Sequence, residues 1–510
     1  MKKTILTIIT IAILTIITIA ILGYICIAWH TGIVIEKELY NTLPETVAKF
    51  NNAQNIFKLN ISHSNHERHL FSTKTHIYMT LTPKDGSSED VLTLADKDFT
   101  IHHGPFPIAA LKQGIFSPQQ AWIDYEISQE AKSALWEAMG NQPFITGYIS
   151  LDYSNNLIMK LFSRKFSEKR EFETNINLEY ELGNGSFTFI SNNDSPIPSI
   201  TLDLDRFHTK KANVYFTLDK LHIEFAGEKQ STNTHYLLSL DSLNTNLRDA
   251  FFNPDYDFTK SDNDTFLINN LKVDSTIDSN NQNITLQANL DKFTLIPESD
   301  DKRPAIKVNK ISVNQKVNFG DSRTLNGFFS GSIDSILYGQ QELGKAEINI
   351  DYQGLDKAEF GAAFIDEDTQ YNQPINSRFE LKKLNLHNDN GDINIKGLLD
   401  VTNLNKIYII NDPLDNINNF TLHVNAPLNV LARTFAQYYS PNNSGITEDQ
   451  FNKSKKIVQD ILAHMSNDSP LFTFSKDGEQ GLFIDILQDS NDVNINGKIY
   501  NKSDVLELLK

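Results

Sequence analysis

The residues best equipped for chemistry in this sequence are histidines. His63, His66 and His69 fall within seven positions, with His76 close behind, and that density invites a metal site. Zinc needs three or four ligands converging at fixed distances, and a helical histidine pair must be four residues apart. His66-Glu67-Arg68-His69 falls one residue short of that spacing. If residues 59–80 form strands, alternation sends His63 and His66 to opposite faces. No fixed set of carboxylates or thiolates completes a site, so the expectation is a histidine-rich surface. A metal-dependent hydrolase is only a distant third reading. Cys26 is the single cysteine, which excludes an intrachain disulfide and any Cys-based zinc or iron–sulfur centre. There is no Walker-A loop, no Gly-x-Gly-x-x-Gly and no Gly-x-Ser-x-Gly elbow. Acidic groups such as Asp203 with Asp205, or Asp366-Glu367-Asp368, read as solvated surface. No catalytic residue and no cofactor are implied, and the protein is expected not to be an enzyme.

The most unusual short segment is His103-Gly104-Pro105-Phe106-Pro107. Each proline fixes its own φ and biases the residue before it towards extended geometry. The result is a stiff, extended turn after a strand ending at Ile101, holding Phe106 in a set direction. One reading is a presented loop that docks a partner, with Phe106 as anchor and His103 as a polar or pH-sensitive contact. The simpler one is a rigid corner whose Phe packs into the local core.

These residues must be positioned by a long chain. At 510 residues with 40% hydrophobic and 22% charged content it can bury a core, and its formal net charge of −18 argues against a general nucleic-acid binder. Past residue 60 the pattern has period two. Leu178, Tyr180 and Leu182 alternate with charged neighbours; Ile284, Leu286, Ala288 and Leu290 repeat the pattern, as do Ile348, Ile350 and Tyr352. Such alternation marks antiparallel strands with one buried face. Asn496-Gly497 between two short apolar segments predicts a two-residue hairpin with φ > 0. Helices are few: residues 35–57 as a juxtamembrane helix, 128–139, and a pair over 427–439 and 448–465. Thr447 and Gln450 are placed to form a capping box for the last of these. The expected class is α+β, predominantly antiparallel β. The chain divides into an anchor (1–29), a juxtamembrane helix (30–58), a β-rich body (59–426), and a helical pair with a carboxyl-terminal hairpin packing on that body (427–510).

Residues 4–29 form an uncharged run of 26, more than the ~20 that cross the hydrocarbon core as a helix. Trp29 at its far end suits the interface, and Lys2 and Lys3 favour a cytoplasmic amino terminus. Without those lysines the chain keeps 44 basic against 64 acidic residues, which disfavours simple attraction to anionic headgroups. One-sided strands must meet a second sheet, a helix or an apolar ligand.

The start Ala28-Trp29-His30-Thr31-Gly32 with Glu36 resembles the start of the YdgA-like (YdgA/YihF) family of bacterial envelope proteins. His103-Gly104-Pro105-Phe106-Pro107 with the following Ile108-Ala109-Ala110-Leu111 looks like that family's most recognisable motif. Arg68 with Phe71-Ser72-Thr73, and Asn494-Ile495-Asn496-Gly497-Lys498, are similar to two others. His69 stands where the family usually has Gly, and His102 where Asp is common. The resemblance implies a single-pass inner-membrane protein with a large periplasmic domain and no established activity. The first expectation is therefore a non-enzymatic envelope protein that binds a protein partner or acts structurally. The alternative is a lipid-binding or lipid-transfer protein whose long one-sided sheet forms an apolar groove for phospholipid.

Overall fold

A computed structural model describes residues 20–37, 40–41, 44, 47–48, 51, 57–84, 91–127, 139–171, 177–192, 197–211, 214–227, 233–246, 264–278, 282–298, 303–319, 323–357, 374–402, 416–489, 492–501 and 504–505. Most of them lie in antiparallel strands. The helix expected over 128–139 and most of the amino-terminal apolar run fall outside the described residues. The chain divides into two compact units, one built mainly from the first 170 residues and the other mainly from residue 232 onwards.

In the first unit, α1 (Ala20–Lys37) precedes β1 (Phe57–Arg68), β2 (Ser72–Pro83) and β3 (Leu92–His103). A short α2 (Ile108–Lys112) then leads to β4 (Gln119–Glu126), β5 (Ile145–Asp152) and β6 (Leu157–Ser163). Each strand pairs antiparallel with the one before it. β7 (Phe166–Glu171) and β8 (Asn177–Leu182) follow in the chain, while β6 pairs with β9 (Gly185–Ser191) and β9 with β10 (Ser199–Lys211). The core of this unit is small. Trp122 is fully buried, stacked on Tyr148 at 4.3 Å, and its Nε1 donates to Asp124 Oδ1 at 2.9 Å. Ala95, Phe99 and Ile101 of β3 are buried too.

β11 (Val214–Gly227) comes next in the chain. The second unit is dominated by a meander of β12 (Thr234–Thr245), β13 (Thr265–Asp278), β14 (Asn283–Ile296), β15 (Ile306–Asn318), β16 (Thr324–Tyr338), β17 (Gln341–Asp356), β18 (Asn376–Asn388), β19 (Gly391–Thr402) and β20 (Ile417–Pro427). Directly opposed residues share a face, so the register sorts the side chains. Ala288, Val313, Gly331, Ile348, Leu384 and Ile395 form one cross-strand row. The adjacent row is Gln287, Asn314, Ser330, Asn349 and Lys383. One face is thus apolar and the other polar. In the middle of the strands the alternation slips. Asn270 and Lys310 take φ of 52° and 50°, so that Ile268 and Leu271 keep to one face although three residues apart. At the same level, Asp291 on β14 accepts from Asn270 Nδ2 on β13 at 2.8 Å, and Asp334 on β16 lies 3.4 Å from Lys310 Nζ on β15. The slips line up across the sheet as a crease.

After β20 come α3 (Leu428–Tyr439) and α4 (Glu448–Asp468). Thr447 and Gln450 form the expected capping box, each bonding the other's backbone N–H. Leu428, Val458 and Leu462 make the helices' shared core. Gln341, buried at the start of β17, donates Nε2 to the carbonyls of Ser440 and Asn443 at 2.8 and 2.6 Å and ties the interhelical turn to the sheet. β21 (Thr473–Lys476) and β22 (Glu479–Asp489) follow, with β22 returning to pair with β20. β23 (Asp492–Ile495) and β24 (Lys498–Asn501) close the unit. Asn496 and Gly497 between them have φ of 50° and 86°, the positive values a two-residue hairpin requires.

Candidate functional site

The segments that stand out in the sequence meet in the first unit around α1. Ala28, Thr31 and Ile35 are buried along one stripe of that helix, the i, i+3, i+7 spacing of a face packed on protein. Its counterpart is the corner at residues 103–106. β3 runs two residues past the expected end at Ile101, because the His103 N–H donates to the Phe71 carbonyl at 3.0 Å. Gly104, at φ +116°, then breaks the strand. A Cβ at Gly104 would sit 3.0 Å from the Ala28 Cβ, and one at Gly32 would sit 2.8 Å from His103 Cε1. Helix and corner approach so closely that only glycine fits at both places.

His103 lies at the centre, 1% exposed. Its Nε2 is 3.4 Å from Thr73 Oγ1, and its Nδ1 has no hydrogen-bond partner among the described residues. Burial pushes its pKa below the ordinary value, against the opposing pull of the Ala28 and Ser72 carbonyls. The imidazole is therefore a neutral wedge between helix and sheet, not a polar contact presented to solvent. Around it, Thr31 Oγ1 donates to the Ile27 carbonyl at 2.8 Å and lies 3.3 Å from the Tyr153 hydroxyl. Arg68 Nη1 donates to Glu36 Oε2 at 2.8 Å. Tyr24 donates its hydroxyl to the Phe106 carbonyl at 3.0 Å and packs its ring 5.7 Å from that of Phe71.

The corner does not tuck Phe106 into a core: its side chain is 41% exposed while Pro107 is buried. Trp29 faces outwards on α1. Gly32, Arg68, Phe71 and His103 to Phe106 form one cluster, whereas Asn496 and Gly497 belong to the second unit. There Asn496 Nδ2 donates to the Pro470 carbonyl at 2.9 Å and its Oδ1 accepts from the Asp485 N–H at 2.8 Å, a structural role. Ala28, Thr31 and Thr73 lie within the quoted motifs, whereas Tyr24 and Tyr153 were not nominated by them. The Ala28-x-x-x-Gly32 pair of small residues in a bulky run was the available signal for the helix side.

The histidine cluster needs one correction. His63 and His66 do not point to opposite faces of β1: both rings meet Tyr40, at 4.7 and 6.0 Å between centroids. The reason is a bulge between Ser64 and Glu67, where Asn65 takes φ 52° and shifts the alternation by one. His76, by contrast, bridges Asp96 and Asp98 at 3.0 and 2.9 Å, and those carboxylates raise its pKa. Among the described residues no group of three or more His, Cys, Asp or Glu side chains is placed to hold a metal ion.

The second unit offers a site of another kind. On the apolar face of the meander, Ile284, Val317, Phe329, Ile350, Tyr352 and Phe379 line a hollow of about 440 Å³. A second hollow of about 230 Å³, lined by Ile311, Val313, Ile333, Ile348 and Leu384, shares Phe329 with the first. Most side chains of this face are half-buried, strand after strand, although Leu325 and Leu355 beside the first hollow are buried. Together the hollows make an open apolar trough across β14 to β18.

The helix α1 is long and apolar enough, by length and composition, to be a candidate membrane-spanning helix. A family model described as "Bacterial protein of unknown function (DUF945)" matches residues 1–373, and the chain belongs to that family. No curated protein and no solved structure matches the chain.

Proposed function

We propose that this member of the bacterial DUF945 family is a single-pass inner-membrane protein that acts by binding rather than by catalysis, and that its open sheet face holds lipid. The observation that carries this reading is the largely half-buried apolar face of the meander with its open trough. A solvated face of that size is costly at ~25 cal/mol per Å² of apolar surface, so something of matching chemistry covers it. Apart from Gln315 and the Tyr352 hydroxyl, the first hollow offers only apolar groups. That lining suits acyl chains, which make no hydrogen-bond demands, better than a peptide, whose backbone does. Because α1 is packed on protein from Tyr24 and Ala28 onwards, the part of the uncharged 4–29 run left to cross the bilayer is residues 4–23, with Lys2 and Lys3 holding the amino terminus inside and the body periplasmic. The motif resemblance to YdgA-like envelope proteins supports that location.

The test is mass spectrometry of the full chain purified in native lipid discs, beside a Phe329→Asp variant. Lipid bound in the trough is expected in the parent and depleted by the carboxylate, while lipid around the anchor is common to both. Equal phospholipid content in the two samples would overturn the reading.

A further inference from the structure

The corner and α1 run alongside each other in a fixed order. His103 is level with Gly32, Gly104 with Ala28, and Phe106 with Tyr24. Three residues of the corner thus travel eight residues down the helix, towards the amino-terminal apolar run, a distance of ~12 Å at 1.5 Å per residue. The chain then makes α2 and a turn before coming back to Pro105, whose carbonyl accepts from the Gln119 N–H at 3.0 Å. The lobe between these points therefore projects at the membrane end of the dock. Its composition is out of character for so acidic a chain: from Gly104 to Ile123 the single charged residue is Lys112. Its large apolar side chains are in the open, Ile108 at 70% and Phe116 at 74%.

We propose that this lobe is a membrane-seated collar, in which Phe106, Ile108 and Phe116 insert into the interfacial layer of the bilayer that α1 leaves, with Lys112 among the lipid phosphates. The proposal rests on the reading of residues 4–23 as a membrane span. A 20-residue span ends at Gly23, which puts Tyr24 and its partners Phe71 and Phe106 at the interface, where aromatic side chains are favoured. The lone cation among exposed apolar side chains fits phosphate headgroups and relieves the repulsion that the body's acidity would otherwise impose. The collar fixes how the body sits on the membrane, because α1 is clamped to the same lobe.

Depth-dependent quenching tests this with the full chain in phosphatidylcholine–phosphatidylglycerol vesicles. In a Cys26→Ser background, single cysteines replace Ile108, Phe116 and, as a reference inside the span, Leu14, and each carries an environment-sensitive dye. Nitroxide lipids labelled near the headgroup should quench the dyes at 108 and 116 several-fold more than deep-labelled ones, with the reverse order at 14. Quenching at 14 without quenching at 108 and 116 would overturn the collar while leaving the span standing. No quenching at 14 would overturn the span and the collar with it.

Discussion

The dock around α1 and the meander of the second unit use their side chains in opposite ways. At the dock, identity is everything: two glycines, one buried histidine and a few hydroxyls fit at near-contact distances. In the meander, Ala, Val, Gly, Ile and Leu succeed one another along a single row, and only their apolar character and strand phase are held in common. A close-packed joint is specified atom by atom, whereas a half-open face is specified by pattern. That is why short motifs cluster at the dock, although it involves far fewer residues than the sheet.

If this contrast is sound, the largest effect comes from the dock. Gly104→Val adds a β-branched side chain at φ +116° and a Cβ against Ala28, and should cost at least ~3 kcal/mol of docking, from backbone strain and overpacking together. Hydrogen exchange over residues 24–36 would show protection lost there and kept in β12 to β20; unchanged protection would break the comparison. The meander should respond mildly. Ile348→Val is expected to cost ~0.5–1.5 kcal/mol, at the low end because the face is half-open, as read from denaturant melts of the second unit's signals. A loss comparable to that at Gly104 would mean that the trough is packed, not open.

The gentlest probe changes only pH. The His103 pKa is lowered by burial, so its contribution to docking is complete above the ordinary value near 6.5 and is lost as pH falls below that value towards the depressed one. His76 has the opposite sign: its pairing with Asp96 and Asp98 helps at low pH and fades as pH rises through its raised pKa. Acidification should therefore loosen α1 without loosening the β2–β3 pair. Exchange rates in the two segments, compared at pH 7.5 and 5, would sharpen this, and a His103→Gln variant should flatten the response of α1 alone. Among the described residues, two charged or titratable groups face His103, Arg68 at the end of β1 and the adjacent His102 on β3 itself, and both oppose its protonation.

The strands were legible because alternation survives wherever one face is apolar, and the helical pair because Thr447 and Gln450 mark a helix start. The hairpin turn at Asn496-Gly497 was legible from its backbone demands. Phase slips were not. At Asn65 and Asn270 a single left-handed residue moves the next side chain to the other face, and a reader counting by twos misassigns all that follows. His63 and His66 were separated on paper for that reason. The dock was legible in parts but not as a whole: residues near 32, 68 and 104 announce themselves, while their meeting depends on β1, β2 and β3 bringing them together. The trough was hidden for a different reason, since alternation says that a face is apolar but not whether another layer covers it.

The regular register of the meander makes the trough a countable length. Strands stack at ~4.8 Å, so the trough across the five strands from β14 to β18 spans ~19 Å, within a meander of nine strands that spans ~38 Å. Each hairpin gained or lost in a related chain would change that reach by ~10 Å and leave the dock around α1 untouched. The number of strands, more than any single residue, therefore sets the length of the apolar face.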